Sequence, residues 1–251
     1  MSDTVNKNLY KKQNRIEILD LIRGIAIGLM FIFHLCFGLS ELGLLDINFS
    51  SDYFWIAFRS LIVFLFLSLV GIGSVLSNLK NTPTKTQNLL QNRLFLLFIY
   101  MMLITAFSYY VRPQYYVYFG ILHLIFISSI VGRFLIKLKP VFLWLTIIIS
   151  MSVGLIIESE YLNNPFVYWL GLGNLPPITD DFAPFFPWFS LVVFGIILGG
   201  YLKDGFYRNS KLLKWIPINW FMKFICWGGR HSIHIYFIHF QLFYLLVLIF
   251  N

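Results

Sequence analysis

The chain reads as an all-α, polytopic transmembrane helix bundle of about seven spans, with its N-terminus inside and its C-terminus outside. Three observations carry that reading. Of 251 residues, 59% are hydrophobic and only 12% charged, more apolar surface than a soluble domain of this size needs. Seven apolar stretches, at 18–40, 54–77, 93–110, 117–136, 140–158, 185–203 and 232–250, come near the roughly 20 residues that cross hydrocarbon as a helix. The connecting segments alternate in charge. Segments 1–17, 78–93, 133–139 and 203–230 hold sixteen of the nineteen Lys and Arg, whereas 41–53 and 158–184 hold seven of the eleven acids and no Lys or Arg. Basic loops stay on the cytoplasmic side, which sets the orientation. The formal net charge of +8 belongs to those loops and calls for no nucleic-acid partner.

Residues 1–17 form a basic cytoplasmic segment with Lys7, Lys11, Lys12 and Arg15, and 18–251 form a single transmembrane domain. The first apolar run is too long for a signal-peptide core and lacks a small-residue cleavage pattern, so it is read as a retained helix. It is also the most informative span, because it carries Asp20, Arg23 and His34. Ionisable groups in a bilayer are costly and mark function. Arg23 and His34 are three helical turns apart on one face, roughly 16 Å along the axis, with Asp20 near the same stripe.

Depth links this span to another. Histidine 34 lies roughly 22 Å from the inner end of its span, and His123 roughly 10 Å from the outer end of the fourth. In a core of about 30 Å both imidazoles fall in the outer half, where they are placed to meet across the bundle. Arg23 and Arg93 sit at the inner ends of the first and third spans, with Tyr100 one heptad beyond Arg93. The last span sets Ser232, Tyr236 and His239 on one stripe and His234 with Gln241 on another. A histidine inside a span can equally be a structural hydrogen bonder, and an arginine at a membrane edge is commonly a topology anchor that reaches for phosphate headgroups.

Two connections are long. Segment 159–184, outside, is rich in aromatics and prolines and reads as a lid, a re-entrant piece or a tether. Segment 203–230 is internal; within it Lys211, Lys214 and Lys223 alternate with Trp215, Trp220 and Trp227, the pattern of an interfacial segment. Cys36 and Cys226 fall at opposite surfaces and are not expected to pair. Asn48-Phe-Ser50 is a glycosylation sequon too close to the membrane for use. His231 and His234 have no carboxylate or cysteine beside them, so no metal site is expected. Gly71-Ile-Gly73 reads as a close helix contact.

Five pieces in order then resemble one family. Arg15-Ile-Glu-Ile-Leu-Asp20-Leu-Ile-Arg23-Gly24, running on to His34, resembles the opening helix of the integral-membrane acyltransferases related to the heparan-alpha-glucosaminide N-acetyltransferase catalytic domain. Phe64 to Gly71 resembles that family's second span. Asn92-Arg93, Thr105 and Phe119-Gly120-Ile-Leu-His123 resemble its central motif. Asp181-Phe-Ala-Pro184-Phe-Phe-Pro187-Trp188, with Gly195 and Gly199, resembles its Pro-Trp span. Gly229-Arg230-His231-Ser232-Ile-His234-Ile-Tyr236, then His239, resembles its closing helix.

The resemblance implies acyl transfer from cytosolic acetyl-CoA to a sugar amine or hydroxyl; the chemistry of the residues makes His34 and His123 the expected catalytic pair, as base and oxyanion partner or with one carrying the acyl group. Arg23, Arg93, Tyr100, Ser232, Tyr236 and His239 are the expected donor-binding residues, and Asp20, Gly24, Asp181, Pro187 and Trp188 the motif residues. This chain has fewer spans than large family members and no large external domain, so a polymer acceptor is not implied. The chemistry suits the residues: histidine supplies a base near neutral pH, and arginine suits phosphate. Membrane lipid and a small-molecule or glycan acceptor are the expected partners, a homodimer stays open, and the plasma membrane is the expected location. A small proton- or ion-coupled transporter would also set His, Arg and Asp in a bundle, and a non-catalytic membrane partner is a third reading.

Overall fold

Each of the seven apolar stretches is a helix in the structure, a computed structural model that describes residues 16–49, 51–80, 83–203 and 213–250. The basic residues of 1–15, Ser50 of the sequon and Lys211 lie outside the described residues. Eight α-helices occur among the described residues. They are α1 (Glu17–Glu41), α2 (Tyr53–Lys80), α3 (Pro83–Val111), α4 (Ile121–Leu135), α5 (Pro140–Ile156), α6 (Phe189–Lys203), α7 (Trp220–Arg230) and α8 (Ser232–Phe250). By length and composition, Glu17–Glu41, Tyr53–Ser77 and Gln91–Val111 suffice to cross a membrane, while α4, α5 and α6 are shorter apolar helices.

Local chemistry explains the ends. Glu17 and Asp20 occupy the first turn of α1, and Arg133 and Arg230 the last turns of α4 and α7, in each case the sign that the helix dipole favours. Pro140 opens α5, where its missing N–H costs nothing.

Two pairs of glycines set the tightest helix contacts. A Cβ on Gly71 of α2 would overlap the Val192 carbonyl oxygen of α6, and one on Gly195 of α6 would overlap the Ser68 carbonyl oxygen of α2. The two backbones therefore touch, as small residues permit. In the same way Gly24 of α1 lies on the Ile225 carbonyl of α7, and Gly229 of α7 on the Asp20 carbonyl of α1. The C-terminal part of the expected interfacial segment is thus a helix docked on α1. It turns Cys226 and Gly229 inward and leaves Trp220, Phe221, Phe224 and Trp227 exposed.

Between these contacts lies one apolar core that includes Leu67, Leu97, Leu124, Val193, Phe240 and Tyr244. The outward faces are apolar as well: Phe31, Phe95, Val141 and Leu155 are all exposed. A shell of that kind suits hydrocarbon rather than water.

The long connection between α5 and α6 is ordered. It contains two short 3₁₀ turns, Glu160–Leu162 and Tyr168–Leu170. Trp169 packs between Phe119 and Phe185, and the Tyr118 hydroxyl donates to the Pro165 carbonyl. The chain then returns beside the α3–α4 connection. Asp180 N–H donates to the Tyr115 carbonyl at 2.9 Å and Ala183 N–H to the Phe119 carbonyl at 3.1 Å. This return carries Asp181 to the start of α4.

Candidate active site

The Asp181 carboxylate sits where α4 begins. Its Oδ2 accepts from the Ile121 backbone N–H at 3.0 Å and from the Tyr236 hydroxyl at 3.2 Å. Gly120 makes this possible, since a Cβ there would overlap Oδ2 itself. An anion held by the first N–H of a helix is favoured by the helix dipole as well as by the hydrogen bond. Burial pushes the Asp181 carboxyl above the usual carboxylate range, while the Ile121 amide, His34, Tyr236 and Arg59 pull it back.

Histidine 34 lies within electrostatic range of this carboxylate, with no hydrogen bond between the two. Its Nδ1 lies 2.9 Å from the Met30 carbonyl. A carbonyl only accepts, so Nδ1 carries the proton and the Nε2 lone pair is left for chemistry. The imidazole of His239 stands edge-on to it, ring centroids 4.9 Å apart. Neither nitrogen of His239 makes a hydrogen bond of normal geometry; the Ile235 and Tyr236 carbonyls of the preceding turn lie close by but outside it. Phe240 and Phe243 complete the walls around His34.

His123 is elsewhere and differently engaged. Its Nδ1 accepts from the Gly120 N–H at 3.3 Å, so the proton belongs on Nε2, which lies 3.2 Å from Thr105 Oγ1. That hydroxyl in turn donates to the Val117 carbonyl at 2.9 Å. Both ring nitrogens are used, and the ring fastens the first turn of α4. Among the described residues no contact joins His34 to His123. The matched depth expected of His34 and His123 does not bring them together; the imidazole beside His34 is that of His239.

On the other side of Tyr236 is a cavity of about 510 Å³, including its mouth, lined by Arg23, Arg93, Leu97, Ile121, Ser232 and Tyr236 among others. Arg23 donates to Asp20 Oδ1 at 3.2 Å, and Arg23 and Arg93 are close enough to repel one another. The Nε of Arg93 is buried with no hydrogen-bond partner, which is costly unless an acceptor comes to it. Gly73 leaves room for the Arg23 guanidinium, since a Cβ there would approach its Nη2 at 3.2 Å. Of the six expected donor residues, Arg23, Arg93, Ser232 and Tyr236 line this cavity. Tyr100 instead bonds His234 at 2.7 Å and stacks on Phe237, and His239 lies beside His34.

The motif residues fall into place around these two compartments. Asp20 bridges Arg23 and Arg230, and Arg230 also pairs with Glu17, so the polar start of α1 is neutralised from α7. Pro187 and Trp188 shape the entry to α6. Sequence reading overlooked a further cluster: Arg112 joins Glu41 at 2.9 Å and Asp180 at 3.2 Å, and the Tyr244 hydroxyl donates to Asp180 at 2.7 Å. Lone ionisable groups at the ends of apolar helices look like surface charges; Tyr244 on α8 was the sequence signal of a buried partner. Among the described residues no group of three His, Cys, Asp or Glu side chains is arranged to hold a metal ion.

A family model described as heparan-alpha-glucosaminide N-acetyltransferase, catalytic, matches residues 15–241. The chain belongs to this family. Heparan-alpha-glucosaminide N-acetyltransferase catalytic domains are transferases, so the chain is an acetyltransferase-like membrane enzyme. The matched region holds the Arg-lined cavity, the His34–His239 pair and Asp181 alike. Comparison with curated proteins gave no match, and comparison with solved structures gave none.

Proposed function

We propose that the protein moves an acetyl group from cytosolic acetyl-CoA to a sugar amine or hydroxyl on the far side of the plasma membrane. One observation carries this reading. The Arg23–Arg93 cavity is lined by Tyr236, whose hydroxyl donates to Asp181, and that carboxylate lies within electrostatic range of His34. A donor held by its phosphates at one end thus has its thioester directed toward a base at the other.

The two guanidiniums suit phosphate oxygens, and the unsatisfied Arg93 Nε is the kind of donor an anion completes. Histidine 34 acts as the general base. Its Nε2 takes the proton from the acceptor as the acceptor oxygen or nitrogen bonds to the acyl carbon. The carbon–sulfur bond then breaks, and the departing thiolate takes that proton back. The ionised Asp181 stabilises the imidazolium in between. His239 walls the chamber beside the base, and His123 holds α4, and so the Ile121 N–H, in position for Asp181. In this reading His123 is a positioning residue.

The test uses purified protein in liposomes, with acetyl-CoA on one face and a panel of amino sugars and sugar alcohols on the other. Product formation together with saturable acetyl-CoA binding is expected. Ion-gradient-driven flux in a protein that does not bind coenzyme A would overturn the proposal in favour of a transporter.

A further inference from the structure

A second cavity lies away from the candidate active site, where the ends of α2 and α6 meet the α4–α5 turn. It encloses about 930 Å³ with its open side included, and Val75, Leu143, Ile197 and Gly200 line it, with Tyr201 and Lys203 at the rim. Its origin is legible in two neighbouring glycines. Gly199 is consumed by contact with Val75 and Ile72 of α2, whereas a Cβ on Gly200 would meet nothing within 4 Å. The helix turns an unfilled notch outward.

The rim is cationic. Lys137 and Lys139 flank the lining residue Leu138, and all three are exposed, as is Lys203. Among the described residues none of these lysines has an acidic partner. Asp204, the neighbouring acid in sequence, lies outside the described residues. An apolar slot under unpaired lysines is complementary to one kind of molecule: an acyl chain that carries a negative headgroup. A zwitterionic lipid would fill the slot and gain little at the rim. Water would fill it poorly, because the lining is apolar.

We infer that this notch is a binding site for an anionic phospholipid, with one acyl chain along Gly200 and Leu143 and the phosphate among Lys137, Lys139 and Lys203. The site depends on the helices lying in a bilayer and not on acyl transfer, so it stands or falls apart from the catalytic proposal. Each lysine near an anionic surface contributes about a fivefold preference.

Native mass spectrometry of the full chain released from nanodiscs tests the inference. The discs hold equal amounts of phosphatidylglycerol and phosphatidylcholine. One retained phosphatidylglycerol per chain is expected, favoured at least tenfold over phosphatidylcholine. The triple variant Lys137→Gln/Lys139→Gln/Lys203→Gln should retain lipid without headgroup preference. Gly200→Leu, which fills the notch, should retain about a tenth as much. Equal retention of the two lipids by the wild-type chain would overturn the assignment. So would a triple variant that keeps the preference, or a dimer mass in place of the lipid adduct, which would give the notch to a second copy.

Discussion

Replacing Asp181 by Asn tests the candidate active site at its centre. The substitution keeps the shape and leaves a carbonyl oxygen to accept from the Ile121 N–H and the Tyr236 hydroxyl, which now lie at 3.0 and 3.2 Å from Oδ2. What it removes is the charge. Hydrogen bonds to a charged group contribute about 1.5–3 kcal/mol, and the imidazolium formed at His34 during transfer loses a counter-charge of that order. At 1.36 kcal/mol per decade, turnover should fall roughly 10- to 150-fold. The larger loss typical of a mis-set tautomer is not expected, because the Met30 carbonyl and not Asp181 fixes the Nδ1 proton of His34. Acetyl-CoA affinity should stay within about twofold, since the Arg23 and Arg93 guanidiniums are untouched. The assay is initial-rate kinetics in detergent with binding measured separately. Turnover within about threefold of wild type in a folded Asp181→Asn protein would refute the role of the carboxylate.

Further outcomes follow from the same geometry. Arg93→Ala should weaken acetyl-CoA binding by about 1.5–3 kcal/mol in calorimetric titration; unchanged affinity would return Arg93 to a topology anchor. His34→Ala should lower turnover roughly 10²–10⁴-fold with little change in melting temperature. His123→Ala should show the opposite balance, because it frees both the Gly120 N–H and Thr105; a purely kinetic defect would make His123 catalytic after all. Because burial raises the Asp181 carboxyl, the rate should fall with decreasing pH in a range above about 4, the ordinary value for Asp, and an acid limb at or below that value would contradict the ionised role. Gly195→Leu drives a side chain into the Ser68 carbonyl and should abolish monodisperse protein in size exclusion; normal elution would mean that α2 and α6 do not touch.

What the sequence made legible was whatever depends on one helix at a time. The 20-residue hydrophobic scale finds seven of the eight described α-helices, three of them long and apolar enough to cross a membrane, and a 3.6-residue period puts Arg23 and His34 on one face. The closing stripe of Ser232, Tyr236 and His239 is a good example of where this ends. The first two do line the cavity with Arg23 and Arg93, yet His239, a turn further on, reaches His34 instead. Helical periodicity fixes the angle of a side chain about its own axis; it does not tell which neighbour stands there. The position of Asp181 was beyond reach for the same reason. A loop residue sixty positions from Ile121 meets it only because Gly120 leaves a gap and the chain from 179 to 183 is tied to the α3–α4 connection. Similarly, α7 reads as a surface strip by its alternating Lys and Trp, whereas Gly229 docks it on α1.

The ion pairs at the start of α1 bear on the order in which the protein is made. Glu17 and Asp20 emerge from the ribosome early, and Asp20 finds Arg23 within its own helix. The partner of Glu17, Arg230, is 213 residues away and is synthesised after six other helices have been delivered. Until then the Glu17 carboxylate lacks this partner. Arrival of Arg230 neutralises it and lets α7 close over α1. The ion pairs that fasten α7 to α1 therefore form only after residue 230 has been made, and the seating of the first helix waits on a late one.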